Sequence, residues 1–201
     1  MDWTPGETRL LQSLRTPDAV QQFLDENVDY NRELRGPTLR SPRLVMRDRT
    51  AQCLEGAMFA AAALNFHGHP PLLLDFEARR DWDHVVAIYK VRGAWGAIGK
   101  SNYSGLAGRA PVYRTLRELA MSYFEHYFNR RRERTLRRYS RPVNLERFDH
   151  LDWRTRAKPA WEIPEYLAEA PHHSLLTSAQ ERRLTPVTRR IYTAGKVGIA
   201  G

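Results

Sequence analysis

The chain has 201 residues, of which 42% are hydrophobic, 10% aromatic and 27% charged, a balance that excludes intrinsic disorder, collagen-like repetition and a disulfide mini-scaffold. Thirty-two Lys and Arg against 23 Asp and Glu leave a formal charge of +9, and a single cysteine, Cys53, excludes an intramolecular disulfide and a cysteine-based zinc cluster. No stretch approaches the roughly 20 apolar residues of a membrane span, the longest candidate being Ala57 to Leu64.

Met1 to Gly6 carries neither a basic nor an apolar leader region, and one unpaired cysteine suits a reducing compartment, so a cytoplasmic location is expected. Nearly all the positive charge is Arg, densest in Arg130-Arg131-Arg132-Glu133-Arg134 and Arg137-Arg138. Guanidinium groups suit phosphates and carboxylates. The arginines are nevertheless scattered among 23 acids, and no helix-turn-helix, zinc-finger or ribonucleoprotein motif accompanies them, so nucleic acid is not the expected partner.

Thr16-Pro17-Asp18 sets an N-cap before a helical Pro, and Val20, Phe23 and Leu24 follow as one apolar stripe. Ser41-Pro42-Arg43 repeats the device for a second short helix ending near Thr50. From Cys53, Met58 to Leu64 is apolar on every side, which places this helix in the core; Gly68, Pro70 and Pro71 end it, and Leu72 to Leu74 follow as a short strand. His84 to Val91 and Ala94 to Gly99 form a hairpin turned at Arg92-Gly93. Thr115 to Glu118 opens a long helix burying Leu119, Tyr123, Phe124, Tyr127 and Phe128. Beyond Asn129, Thr135 to Ser140 is a candidate strand, Asn144 a cap, Trp153 to Pro171 an ordered wrap, and Ser178 to Leu184 and Pro186 to Tyr192 the last helices. The fold class expected is α+β, with residues 1–150 as the main domain and 151–201 as an extension packed on it.

Cys53 stands where the buried helix begins, beside unpaired N–H groups and the positive end of the helix dipole, a placement that favours the thiolate. A nucleophile there needs a base, and His84 heads an otherwise apolar strand. His67 with His69 lacks a third ligand nearby, and His172-His173 reads as a solvated turn, so no metal or cofactor is expected. Asp83 is expected to solvate the strand edge. Glu55 with Asp75 or Asp81 would form a carboxylate pair only through tertiary contact.

Ala51-Gln52-Cys53-Leu54-Glu55-Gly56-Ala57, followed by Phe59, Ala61, Ala62, Leu64, Gly68 and Pro70, resembles the nucleophile helix of the transglutaminase-like superfamily, relatives of papain. Asp83-His84-Val85-Val86 through Trp95 is similar to that family's His and Trp strands. The resemblance implies a papain-like core, a nucleophile helix on a small antiparallel sheet with helical additions at both ends, with Cys53 as nucleophile and His84 as base. The family's aspartate, four residues after the strand Trp, is replaced here by Gly99.

The residue that orients His84 must therefore come from elsewhere. A two-residue hairpin loop sets Ser101 opposite His84 and a three-residue loop sets Asn102 there; Asn102 is favoured because an amide orients imidazole better than a hydroxyl. The Cys53 N–H and the Gln52 side chain are the candidate oxyanion donors. The expected activity is thioester-forming attack on a peptide or amide bond, hydrolytic in preference to cross-linking. A catalytically silent binding or structural module of the same fold is the alternative, and a basic nucleic-acid binder a lesser one.

Overall fold

A computed structural model describes residues 3–197, the first two residues of the amino-terminal hexapeptide lying outside that range. Four helices precede the sheet strands: α1 (Pro5–Ser13), α2 (Pro17–Asn27), α3 (Pro42–Asp48) and α4 (Cys53–Phe66). The two-residue strands β1 (Asp29–Tyr30) and β2 (Thr50–Ala51) pair in parallel between them. Each of the first three helices opens on Pro behind a hydroxyl cap, Thr4, Thr16 and Ser41 in turn, because Pro lacks the N–H that a first turn leaves unpaired. The Thr4 capping box and the helix it starts have no counterpart in the expectations from sequence.

The main sheet is built from β3 (Leu72–Ala78), β4 (His84–Val91), β5 (Ala94–Ile98), β6 (Arg109–Tyr113), β7 (Leu136–Ser140), β8 (Val143–Asn144) and β9 (His172–Ser174). It runs β6-β5-β4-β3-β7-β9, with β8 also on β3, and its pairings are antiparallel. β3 is longer than the three apolar residues that announced it, because Asp75 and Glu77 interrupt the apolar pattern without interrupting the pairing. The helix opened by Thr115, α5 (Leu116–Met121), stops early and continues as a 3-10 turn at Phe124–His126, although Tyr123, Phe124, Tyr127 and Phe128 are still buried. The chain ends in α6 (Glu162–Glu169), α7 (Ser178–Arg182) and α8 (Arg189–Gly195). Residues beyond 151 supply β9, so this stretch completes the sheet edge as well as packing on it.

Side chains alternate across the strands and divide the core in two. Leu73, Val85, Ala87 and Tyr89 face α1 to α4 and α6. Leu74, Phe76, Val86 and Ile88 face α5, Tyr123, Tyr127 and Leu175. α4 is sandwiched between the sheet and the first three helices, which explains an apolar surface on all sides; even Glu55 in its first turn is fully buried. That carboxylate accepts bonds from the Arg40 N–H at 2.7 Å, the Thr38 hydroxyl at 2.8 Å and the Gln52 N–H at 2.9 Å, and pairs with the Arg40 guanidinium. Its charge is thus compensated on every side, the condition for burying one at all.

Candidate active site

Cys53 and His84 stand towards one end of the sheet, where α4 and β4 begin, β3 has ended, and the segment after β5 crosses over. Cys53 is the first residue of α4 and is partly buried. The backbone N–H groups of Val85 and Leu54 favour its charged form, though not enough to offset burial. Cys53 and His84 approach β4 from different layers: α4 lies over Val85 and Ala87, whereas the His84 ring stacks on Phe76 with centroids 6.4 Å apart, on the other face.

The His84 ring is held by its far nitrogen. Nε2–H donates to the carbonyl oxygen of Leu106 at 2.9 Å. A carbonyl only accepts, so the proton is on Nε2, and Nδ1 is left as the lone-pair nitrogen. Nδ1 has no hydrogen-bond partner among the described residues. The Leu106 carbonyl fits here because position 99 is glycine: a β-carbon there would lie 3.0 Å from that oxygen and 3.4 Å from Nε2. The loop is clamped from behind by Arg109, which donates to the carbonyls of Gly105 at 2.7 Å and Gly108 at 3.0 Å, while the Tyr123 hydroxyl donates to that of Ala107 at 3.0 Å.

Ser101 and Asn102 do not orient the ring, which corrects the expectation for both. The hairpin has the two-residue loop, Val91 pairing with Ala94, with Arg92 and Gly93 at φ 48° and 87° as such a turn requires. The register expected for Asn102 is therefore absent. β5 ends at Ile98, before either residue; the Ser101 hydroxyl accepts from the Tyr103 N–H at 3.0 Å, and both residues line a surface cleft with Asp25, Asp29 and Tyr30. Gln52 is also corrected. It is the N-cap of α4, its side-chain oxygen accepting from the Leu54 N–H at 2.6 Å and its amide nitrogen meeting the Thr38 carbonyl at 3.5 Å, so its amide faces the framework.

Burial governs both titrating groups. It pushes the Cys53 thiol up to about 11, outweighing the N–H groups of Val85 and Leu54, with the charge of Asp75 adding to the rise. It pulls His84 down to about 4, against the pull of the Leu106 carbonyl and with help from Arg109. The resting pair is therefore thiol and neutral imidazole, not the thiolate that the helix tip alone would favour. Desolvation of a whole ion exceeds what the first turn of a helix dipole returns.

A second histidine–carboxylate pair escaped sequence reasoning. His172, expected in a solvated turn, lies on β9, and its Nε2 is 3.0 Å from Asp75 Oδ2 with both side chains buried. Its Nδ1–H donates to the Ala170 carbonyl at 2.6 Å. Burial raises Asp75 to about 6, opposed by the bond from His172. An acid within the apolar run Leu72–Phe76 was the one local signal. Asp83 accepts the Ala78 N–H at 2.7 Å, closing the turn into β4, and His67 bonds the Leu11 carbonyl at 2.8 Å, tying α4 to α1. No group of three or more His, Cys, Asp or Glu able to hold a metal occurs among the described residues, and no described helix is long and apolar enough to cross a membrane.

Comparison with protein-family models finds no match to this chain, and neither does comparison with curated proteins.

Proposed function

We propose that this chain is a transglutaminase-like cysteine acyl-transfer enzyme that acts on a peptide or amide bond, with hydrolysis as the outcome. The observation that carries the proposal is a cysteine at the first residue of α4, a buried helix packed over β4, together with a histidine at the head of β4 whose tautomer is fixed by Leu106 so that Nδ1 is the free base. α4 packed across the antiparallel β3-β4-β5 unit supports the papain-like core that the sequence resemblance implies.

Because α4 and the His84 ring lie on opposite faces of β4, the first step requires sulfur and imidazole to meet round the head of that strand, where the Cys53 S–H proton passes to His84 Nδ1 as sulfur adds to the substrate carbonyl carbon. The carbonyl oxygen takes the negative charge, with the Cys53 N–H at the helix start as its donor. The C–N bond then breaks, the amine leaves with the proton from His84, and a thioester remains on Cys53. Water adds to the thioester, giving its proton to His84; the C–S bond breaks, and the acid and the thiol are released. Leu106 takes the part that an Asn or Asp side chain plays in relatives of papain: it fixes the imidazole, without supplying a negative charge to the imidazolium.

A second reading, the same fold as a silent binding module, is favoured by the thiol at about 11 and the imidazole at about 4. Intact mass after incubation with p-nitrophenyl acetate separates the two. The enzyme reading expects one acetyl group on the wild type that decays on standing, none on Cys53→Ala, and slower formation in His84→Gln. An unmodified wild type, with thiol absorbance rising only near pH 11, leaves the silent module.

A further inference from the structure

We infer that the substrate is an acidic peptide, held by a basic aromatic cleft beside the head of β4, where His84 stands. The inference rests on the acyl-transfer reading for its site but not for its test. The cleft encloses about 720 Å³ and is walled by Arg80, Asp81 and Trp82 on one side, by Asn129, Arg130, Arg131 and Glu133 on another, and by Tyr103. Its place near the head of β4 follows from the chain: Trp82 precedes His84 by two residues, and the buried Tyr127 hydroxyl donates to the Trp82 carbonyl at 2.6 Å.

The charges in this cleft are not balanced internally. Asp81 accepts the Thr135 hydroxyl at 2.7 Å and the Trp82 N–H at 3.0 Å, and Glu133 accepts the Asn129 amide at 2.8 Å while Arg80 stands 3.9 Å away. Both acids thus brace the walls. In the rest of the basic stretch, Arg134 pairs with Glu125, Arg137 with Glu181 and Arg138 with Glu77. Arg130 and Arg131 are exposed and close no ion pair among the described residues; Arg131 acts on the Glu133 carboxylate only at longer range, so both guanidinium groups remain open to a ligand in the cleft.

Trp82 supplies the second recognition element. Its indole is 89% exposed, although its backbone is anchored at both N–H and carbonyl. A rigidly mounted aromatic face left in water, next to unpaired guanidinium groups, fits a ligand that is flat or apolar at one point and anionic at the next. A peptide whose acidic side chains reach Arg130 and Arg131 while an aromatic residue lies on Trp82 meets both conditions, and it brings a backbone amide towards the head of β4, where His84 stands.

Binding is measured on Cys53→Ala, so that loss of turnover and loss of binding are distinct. The probe is a fluorescein-labelled octapeptide amide rich in glutamate with one phenylalanine, followed by anisotropy and compared with the same peptide carrying glutamine or lysine. The acidic peptide is expected to bind at least tenfold more tightly than either, to lose that margin in Arg130→Glu/Arg131→Glu, and to weaken severalfold in Trp82→Ala. All three positions are exposed, so circular dichroism melts of these variants should match the parent. Equal affinity for the three peptides overturns the inference, and so does tighter binding of an oligothymidylate through the same arginines. If the acidic peptide binds as stated but the wild type never acylates, the cleft stands and the acyl-transfer reading falls.

Discussion

A β-carbon at Gly56 would lie 2.5 Å from the β-carbon of Lys100, closer than such atoms ever come. The first turn of α4 is therefore in direct contact with the segment that leaves β5. Lys100 is buried there, its ammonium donating to the Leu24 carbonyl at 2.7 Å near the end of α2. One glycine thus lets α4, the crossover segment and α2 meet at the candidate site.

Gly56→Ala should consequently destabilise the fold, although alanine is the better helix former. Overpacking of this kind costs about 1–3 kcal/mol, which urea unfolding would register as a lower midpoint at unchanged slope. A gain in stability would show that the contact relaxes freely and does not hold the site.

His84 makes a pH-dependent contribution with a definite sign. Its folded value, about 4, lies below its ordinary 6.5, so the unfolded chain binds the proton more tightly. Its stabilising effect is whole above 6.5 and is lost as pH falls towards 4, by up to about 3 kcal/mol. His84→Gln keeps an N–H for Leu106 but does not titrate, so its stability should fall less between pH 7 and pH 4 than that of the wild type. Parallel curves would mean that the imidazole is not desolvated in the folded protein.

The Asp75–His172 pair joins β3 to the edge strand β9 across β7, and removing either partner leaves the other buried without compensation. Asp75→Ala should cost about 3 kcal/mol. The double variant Asp75→Ala/His172→Ala should cost less than the sum of the single ones. Amide exchange at Leu175 and Arg141, whose N–H groups bond to Arg137 and Pro171 at 2.9 Å, should quicken in the single variants. Strict additivity would show that the two side chains do not act as a unit.

Much of the helical framework was legible because its signals are local. Thr16 before Pro17 and Ser41 before Pro42 mark helix starts by what the first turn needs, and an apolar run without a polar face can only be a core helix, as α4 is. The β4–β5 hairpin was legible for the same reason, but its register depended on a single residue of loop length, and Val91 pairing with Ala94 removed Asn102 from the place expected for it.

The sequence by itself determined that Cys53 begins a buried helix, that His84 heads an apolar strand, and that no aspartate stands at position 99. Only the tertiary structure decided what holds the His84 ring, because the Leu106 carbonyl is a main-chain atom that every residue carries and no side-chain pattern announces. It also decided the partner of Asp75, a histidine 97 residues away. Finally it decided the protonation of the site, since the desolvation that keeps the thiol and the imidazole neutral comes from layers of chain closing over both of them, and no local spacing of residues encodes that enclosure.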